Sequence, residues 1–215
     1  MDLQGVKEEK VFIPCGGLTL EGLLSVQGAL PVRGGVVSCH PHPLYGGEMD
    51  NPVVTVAVEI AFKEGFQTLR FNFRGVGESE GTHANGVGEK DDVRAAIEFL
   101  SSKVDGLSLI LVGYSFGARV GLPVAVEDAR VKGMVAIAPP LEMYDFDFLK
   151  ESKKDKLVMV GDRDLYCPIG RLKEFYQHLE DPKSLAVIQG ADHFFSHHVN
   201  SLIPPLGEFF RKSLT

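Results

Sequence analysis

The chain has 215 residues, 44% hydrophobic and 24% charged, enough to bury one sizeable core, and reads as a single globular domain over 1–215. A formal net charge of -7 offers no basic surface to a nucleic acid or an anionic bilayer, and no apolar run approaches membrane-spanning length. The opening MDLQGVKEEKVF has no apolar stretch behind a basic region, so a cytoplasmic protein is expected; Cys15, Cys39 and Cys167, odd in number and without CxxC spacing, read as buried reduced thiols.

KVFIPC and LTLEGLLSV, separated by Gly16-Gly17, predict a β-hairpin, and GGVVSCH predicts a buried strand ending at His40. A helix over roughly 52–64 leads through Gly65 into the strand QTLRFNF. A second helix is expected from Glu89 to Lys103, with Val93, Ala96, Ile97 and Leu100 on one face and Asp91 and Asp92 in its first turn. LSLILVGYS, VKGMVAIAP, KLVMVGDRD and SLAVIQGA are continuous apolar runs, the pattern of parallel strands covered on both faces. Helices are expected from about Phe116, Pro168 and His198. The sum is an α/β chain with an eight-stranded, mostly parallel sheet, antiparallel at its start. Leu202, Ile203, Leu206, Phe209 and Phe210 near the last helix face either the core or a second copy, which leaves monomer and homodimer open.

Two segments match Gly-x-Ser-x-Gly, the nucleophile elbow in which a sharp strand-to-helix turn lifts a serine hydroxyl above the sheet edge. Gly113-Tyr114-Ser115-Phe116-Gly117 has the required context, with LSLILV as strand before it and FGARVGLPVAV as helix after it. Gly77-Glu78-Ser79-Glu80-Gly81 lies past the end of its strand and runs into the polar loop THANGVGEK, so it is rejected. Ser115 is therefore the candidate nucleophile rather than a simple helix cap.

A serine hydroxyl needs a histidine to take its proton and a carboxylate to fix the imidazole; in folds built on a strand-to-helix elbow of this kind, the chain order is serine, acid, histidine. His193 alone sits in the loop directly after the last strand, whereas His178 reads as a solvated helix residue and His197 and His198 as the start of the last helix. After KLVMV, Gly161-Asp162-Arg163-Asp164 offers two carboxylates. Asp164 lies further into the loop and is the candidate acid, while Asp162 suits local backbone N–H bonds that shape the turn. The oxyanion needs two N–H donors, one from Phe116 and one from the loop after the third strand, where Pro41 and Pro43 have none and His42 or Leu44 must donate. His40 and His42 could share a face as metal ligands, yet no third ligand stands at motif spacing, so neither a metal nor a cofactor is expected. Tyr45, Phe116, Tyr166 and Phe194 flank these loops as candidate pocket residues. The glycines of 75–81 invite a dinucleotide-binding reading, which fails because the spacing is GxGxxxG and no helix follows.

With His40-Pro41-His42-Pro43, Gly46-Gly47, Met49-Asp50-Asn51, RFNFRGVGESEG, the elbow, GDRD and ADHFF in place, nearly the whole chain resembles the small bacterial α/β-superfamily hydrolases with a His-Pro-His-Pro…Gly-Gly…Met-Asp-Asn signature, related to dienelactone-hydrolase-like serine esterases. The resemblance implies the α/β-hydrolase fold and the triad Ser115, Asp164 and His193. Dienelactone hydrolases proper use cysteine at the elbow, and this chain has serine. Only LEMYDFDFLKESKKD separates VAIAPP from KLVMV, where many such hydrolases carry a cap, so an open site for small soluble esters is expected. Thioesterase, lactonase or small-peptide hydrolase activity would use the same apparatus, and a non-catalytic binding protein would keep the fold without the chemistry.

Overall fold

The computed structural model describes residues 7–26 and 31–213. Strands β1 (Glu8–Cys15) and β2 (Leu18–Ser25) form the expected hairpin about Gly16-Gly17, antiparallel with Cys15 opposite Leu18. β2 pairs antiparallel with β4 (Gln67–Phe71); every later pairing is parallel. With β3 (Gly35–Cys39), β5 (Leu109–Tyr114), β6 (Val131–Ile137), β7 (Asp155–Gly161) and β8 (Lys183–Ile188), the sheet has eight strands in the order β1-β2-β4-β3-β5-β6-β7-β8. The chain thus reverses direction across the sheet at β3, which leaves a crevice above the C-terminal ends of β3 and β5.

Side-chain alternation along the strands builds two cores. Leu109 and Leu111 of β5 point to one face, with Val93, Ile97 and Leu100 of α2 (Glu89–Lys103), Val120 and Leu122 of α3 (Phe116–Glu127), and Leu172 of α4 (Ile169–Gln177). Ile110 and Val112 point to the other, with Val53 and Ala57 of α1 (Pro52–Lys63) and Leu206 and Phe210 of α5 (Ile203–Lys212). Buried on both faces, these strands need no polar alternation, which is why they read as continuous apolar runs.

Two expectations shift at the edges. β3 ends at Cys39, one residue early, because its backbone pairing with β4 and β5 stops at Phe71 and Gly113. The last helix does not begin at His198: a 3-10 turn over Val199–Leu202 comes first, and α5 starts at Ile203 with proline in its first positions, where a missing N–H costs no helical bond. Leu202, Leu206, Phe209 and Phe210 are buried against α1 and the sheet, so this apolar set faces the core; Ile203 packs against it half-buried. Between β6 and β7 the chain makes only turns and a 3-10 segment, Asp147–Leu149. Among the described residues no helix is long and apolar enough to cross a membrane.

Candidate active site

β5 ends at Tyr114 and α3 begins at Phe116, so the whole reversal falls on Ser115, at φ 53° and ψ -112°. That is a strained conformation for a residue with a side chain, held because its N–H still bonds Ile137 O on β6 at 2.9 Å while its carbonyl accepts from Ala118 at 3.0 Å. The flanking glycines are a steric necessity. A Cβ on Gly113 would lie 2.5 Å from Ala118 Cα, and one on Gly117 would lie 2.2 Å from Cys39 O.

The three candidate groups meet in one hydrogen-bonded chain. Ser115 Oγ stands 2.9 Å from His193 Nε2, and His193 Nδ1 stands 2.8 Å from Asp164 Oδ2. Asp164 is 3% exposed, and its other oxygen accepts from the N–H groups of Tyr166 at 2.8 Å and Cys167 at 3.0 Å, so the carboxylate cannot swing away. An ionised acceptor there places the imidazole proton on Nδ1 and leaves Nε2 free to take one from the serine. Asp162, by contrast, accepts from Gly190 N at 2.7 Å: it ties the β7 loop to the β8 loop, a longer link than the local turn expected of it.

His193 is also fixed by groups that the sequence did not single out. Tyr114 Oη donates to His193 O at 3.0 Å, and Asp192 accepts from Phe194 N at 3.1 Å and Ser196 N at 2.9 Å, closing the turn in which the histidine sits. Burial raises the Tyr114 hydroxyl well above its ordinary pKa and so keeps it a donor. An Asp beside the candidate histidine was a visible signal; Tyr114 carried none for this bond, since its acceptor lies 79 residues away.

The loop after β3 separates the two oxyanion candidates. Leu44 N donates to His42 Nδ1 at 3.2 Å and is thereby used, and Leu44 is not part of the cavity wall. The His42 N–H has no protein acceptor among the described residues, while its carbonyl takes the N–H groups of Tyr45 and Gly47, both at 3.0 Å. Phe116 is the first residue of α3, so its N–H has no acceptor within the helix. The rings of His42 and Phe116 stand 4.7 Å apart, next to His83, which the sequence offered only as part of a polar loop.

His40 is no ligand in waiting. It is fully buried, its Nδ1–H donates to Pro41 O at 2.6 Å, and its Nε2 accepts from Phe73 N at 3.0 Å, so it clamps the end of β3 to the end of β4. Burial lowers its pKa to about 4 and keeps it neutral. All three cysteines are free and buried, and burial pushes the Cys167 thiol up to about 12, an unreactive state although it lies beside the acid loop.

Ser115 and His193 open into a cavity of about 390 Å³, whose walls include Tyr45, Phe116, Met143, Tyr144, Tyr166 and Phe194. Tyr45 and Phe194 stand on its rim, 87% and 65% exposed, and Phe116 is buried at its floor.

The family model described as alpha/beta hydrolase fold matches residues 45–162, more than half of the chain. This chain belongs to the α/β-hydrolase fold family. An uncharacterized protein of Rickettsia prowazekii is 34% identical over 79% of this chain and 75% of that protein. An α/β serine hydrolase homologue from Coxiella burnetii superposes with a TM-score of 0.86 at 33% identity, covering 93% of this chain and 96% of that one. A Xanthomonas campestris protein described as an α/β serine hydrolase without a lid gives 0.87 at 28% identity, over 96% and 94%. This α/β hydrolase is thus related to small bacterial serine hydrolase homologues, and its short β6–β7 connection matches a lidless architecture.

Proposed function

We propose that this α/β hydrolase cleaves small neutral carboxylic esters through an acyl-enzyme intermediate. The observation that carries the reading is the unbroken chain from Ser115 through His193 to Asp164 at the mouth of an apolar cavity. Ser115 Oγ attacks the ester carbonyl as its proton passes to His193 Nε2, and the alkoxide of the tetrahedral intermediate is held by the N–H groups of Phe116 and His42. Collapse breaks the bond to the alcohol, which leaves with the proton from His193. Water then attacks the acyl-serine, His193 takes its proton and returns it to Ser115, and the carboxylic acid departs. No metal or cofactor enters these steps.

A preference for esters rests on the wall chemistry. Among the described residues the cavity wall is mainly aromatic and aliphatic and includes no Asp, Glu, Lys or Arg side chain, which favours an uncharged substrate. The missing cap leaves the site open, which favours short acyl groups. Thioesters, lactones and small peptides form the same kind of intermediate and would be handled by the same groups.

The test is hydrolysis of p-nitrophenyl acetate, butyrate and octanoate by wild type and Ser115→Ala, both checked for folding by circular dichroism. Turnover of the two shorter esters by wild type alone, unchanged by chelators, is expected. Equal rates in the two proteins would overturn Ser115 as nucleophile, and a steady rise to octanoate would overturn the short-acyl preference.

A further inference from the structure

Asn51 sits at the N-cap of α1 and also forms part of the cavity wall that contains Ser115. Its Oδ1 accepts from Val53 N at 3.0 Å, its backbone N–H donates to Glu48 O at 3.2 Å, and its carbonyl accepts from Thr55 N at 2.9 Å. The first bond orients the side-chain amide, and the other two fix the backbone that carries it. The amide has two ends, and the cap uses only the oxygen. Its Nδ2 has no protein partner among the described residues, yet it is not sealed in the interior, so it stands where solvent or a ligand can reach it.

The choice of residue is informative because capping alone does not require it. Asp and Ser cap helices as well as Asn does, and Asp would gain from the positive end of the helix besides. Of these three, Asp has no donor and Ser only a hydroxyl on a shorter side chain, whereas Asn adds an amide N–H beyond its capping oxygen to a wall otherwise dominated by rings and aliphatic carbons. A donor held by the fold before a ligand arrives loses little freedom on binding.

We infer that Asn51 Nδ2 is a specificity-determining donor for an oxygen acceptor on the non-reacting part of the substrate, such as a hydroxyl, ether or second carbonyl group. This rests on the ester reading above and narrows it: the ester carries a second polar oxygen within an otherwise apolar body.

Two matched pairs test it, p-nitrophenyl 4-oxopentanoate against pentanoate for an acceptor on the acyl side, and 2-methoxyethyl against butyl butanoate for one on the alcohol side. Binding of each ester is measured by calorimetry on Ser115→Ala protein, with Asn51 intact and with Asn51→Ser or Asn51→Asp added. Because nothing is turned over, the result reads the donor whether or not the ester chemistry holds, and wild-type turnover of plain pentanoate reports on that chemistry separately. In one pair, about fivefold tighter binding of the oxygenated member is expected, falling to parity in both Asn51 variants while the melting temperature stays unchanged. No preference in either pair, or a preference that survives both substitutions, overturns the proposal. A large drop in melting temperature in both variants also overturns it, since the amide would then serve the fold in a way that Ser and Asp cannot replace.

Discussion

The chain writes Gly-x-Ser-x-Gly twice and makes two different objects of it. At 113–117 the pattern sits between a strand and a helix, and the reversal leaves Ser115 Oγ facing His193 at the cavity mouth. At 77–81 the pattern lies in turns beyond β4, and Ser79 is 7% exposed, donating to Asn72 O at 2.7 Å while accepting from Glu21 N at 2.9 Å. Its glycines serve a different neighbour as well. A Cβ on Gly77, at φ 56°, would lie 2.4 Å from Glu21 Oε2, the oxygen that already accepts from Asn72 Nδ2 and Glu78 N. One serine is presented and the other is a rivet that fastens β2 to the segment after β4. Identical spacing carries no chemistry until the elements on either side decide which way the hydroxyl points.

Exchanging the two serines' fates is the sharpest way to break this contrast. Ser115→Ala should cut kcat/KM by more than about 10⁴-fold with little change in melting temperature. Asp164→Asn comes next, at about 10³-fold or more, because the amide favours the wrong imidazole tautomer. Asp162→Asn should cost less than about tenfold, since an amide oxygen can still accept from Gly190 N. Steady-state kinetics on p-nitrophenyl butyrate rank the three, and a larger loss at Asp162 would reverse the assignment of the acid.

Ser79→Ala should do the opposite of Ser115→Ala. It strips a buried donor and acceptor from Asn72 O and Glu21 N, costing about 1–3 kcal/mol, and should lower the melting temperature by several degrees while the Ser115 chemistry persists. Thermal unfolding alongside ester turnover reads both halves; loss of turnover without loss of stability would mean that the second motif does more than fasten strands.

The last effect lies at His40 and shows only as pH falls. Its folded-state pKa of about 4 is below the ordinary value of 6.5, so the unfolded chain binds the proton first as pH falls. The stability that neutral His40 contributes is complete above about pH 6.5 and is lost between there and about pH 4, at up to roughly 1.4 kcal/mol per pH unit. His42, also lowered, mainly by burial, adds a loss of the same sign. Urea unfolding at pH 7.0 and 5.5 should show wild type losing more stability than His40→Gln, and equal losses would mean that His40 titrates normally.

How much of this was legible follows from where each signal lives. The elbow and the strand runs are short-range patterns that could be read along the chain, and the order serine, acid, histidine then pointed to Asp164 and His193 as candidates. The choice between His42 and Leu44 could not, because it turns on whether the His42 ring caps the Leu44 N–H, which depends on a side-chain orientation in a three-residue turn. Nor could the role of His40, whose spacing from His42 suits a metal until Phe73, 33 residues away, takes one of its nitrogens. Asn72, Glu21 and Ser79 form their cluster across strands far apart in sequence, and Tyr114 meets the His193 backbone across 79 residues. The sequence by itself determined the strand runs, their two covered faces and the elbow serine as candidate, because hydrophobic periodicity and turn chemistry act over a few residues. Only the tertiary structure decided which polar groups are free to act, because a hydrogen bond between distant segments consumes a donor or acceptor without leaving any mark in the local pattern.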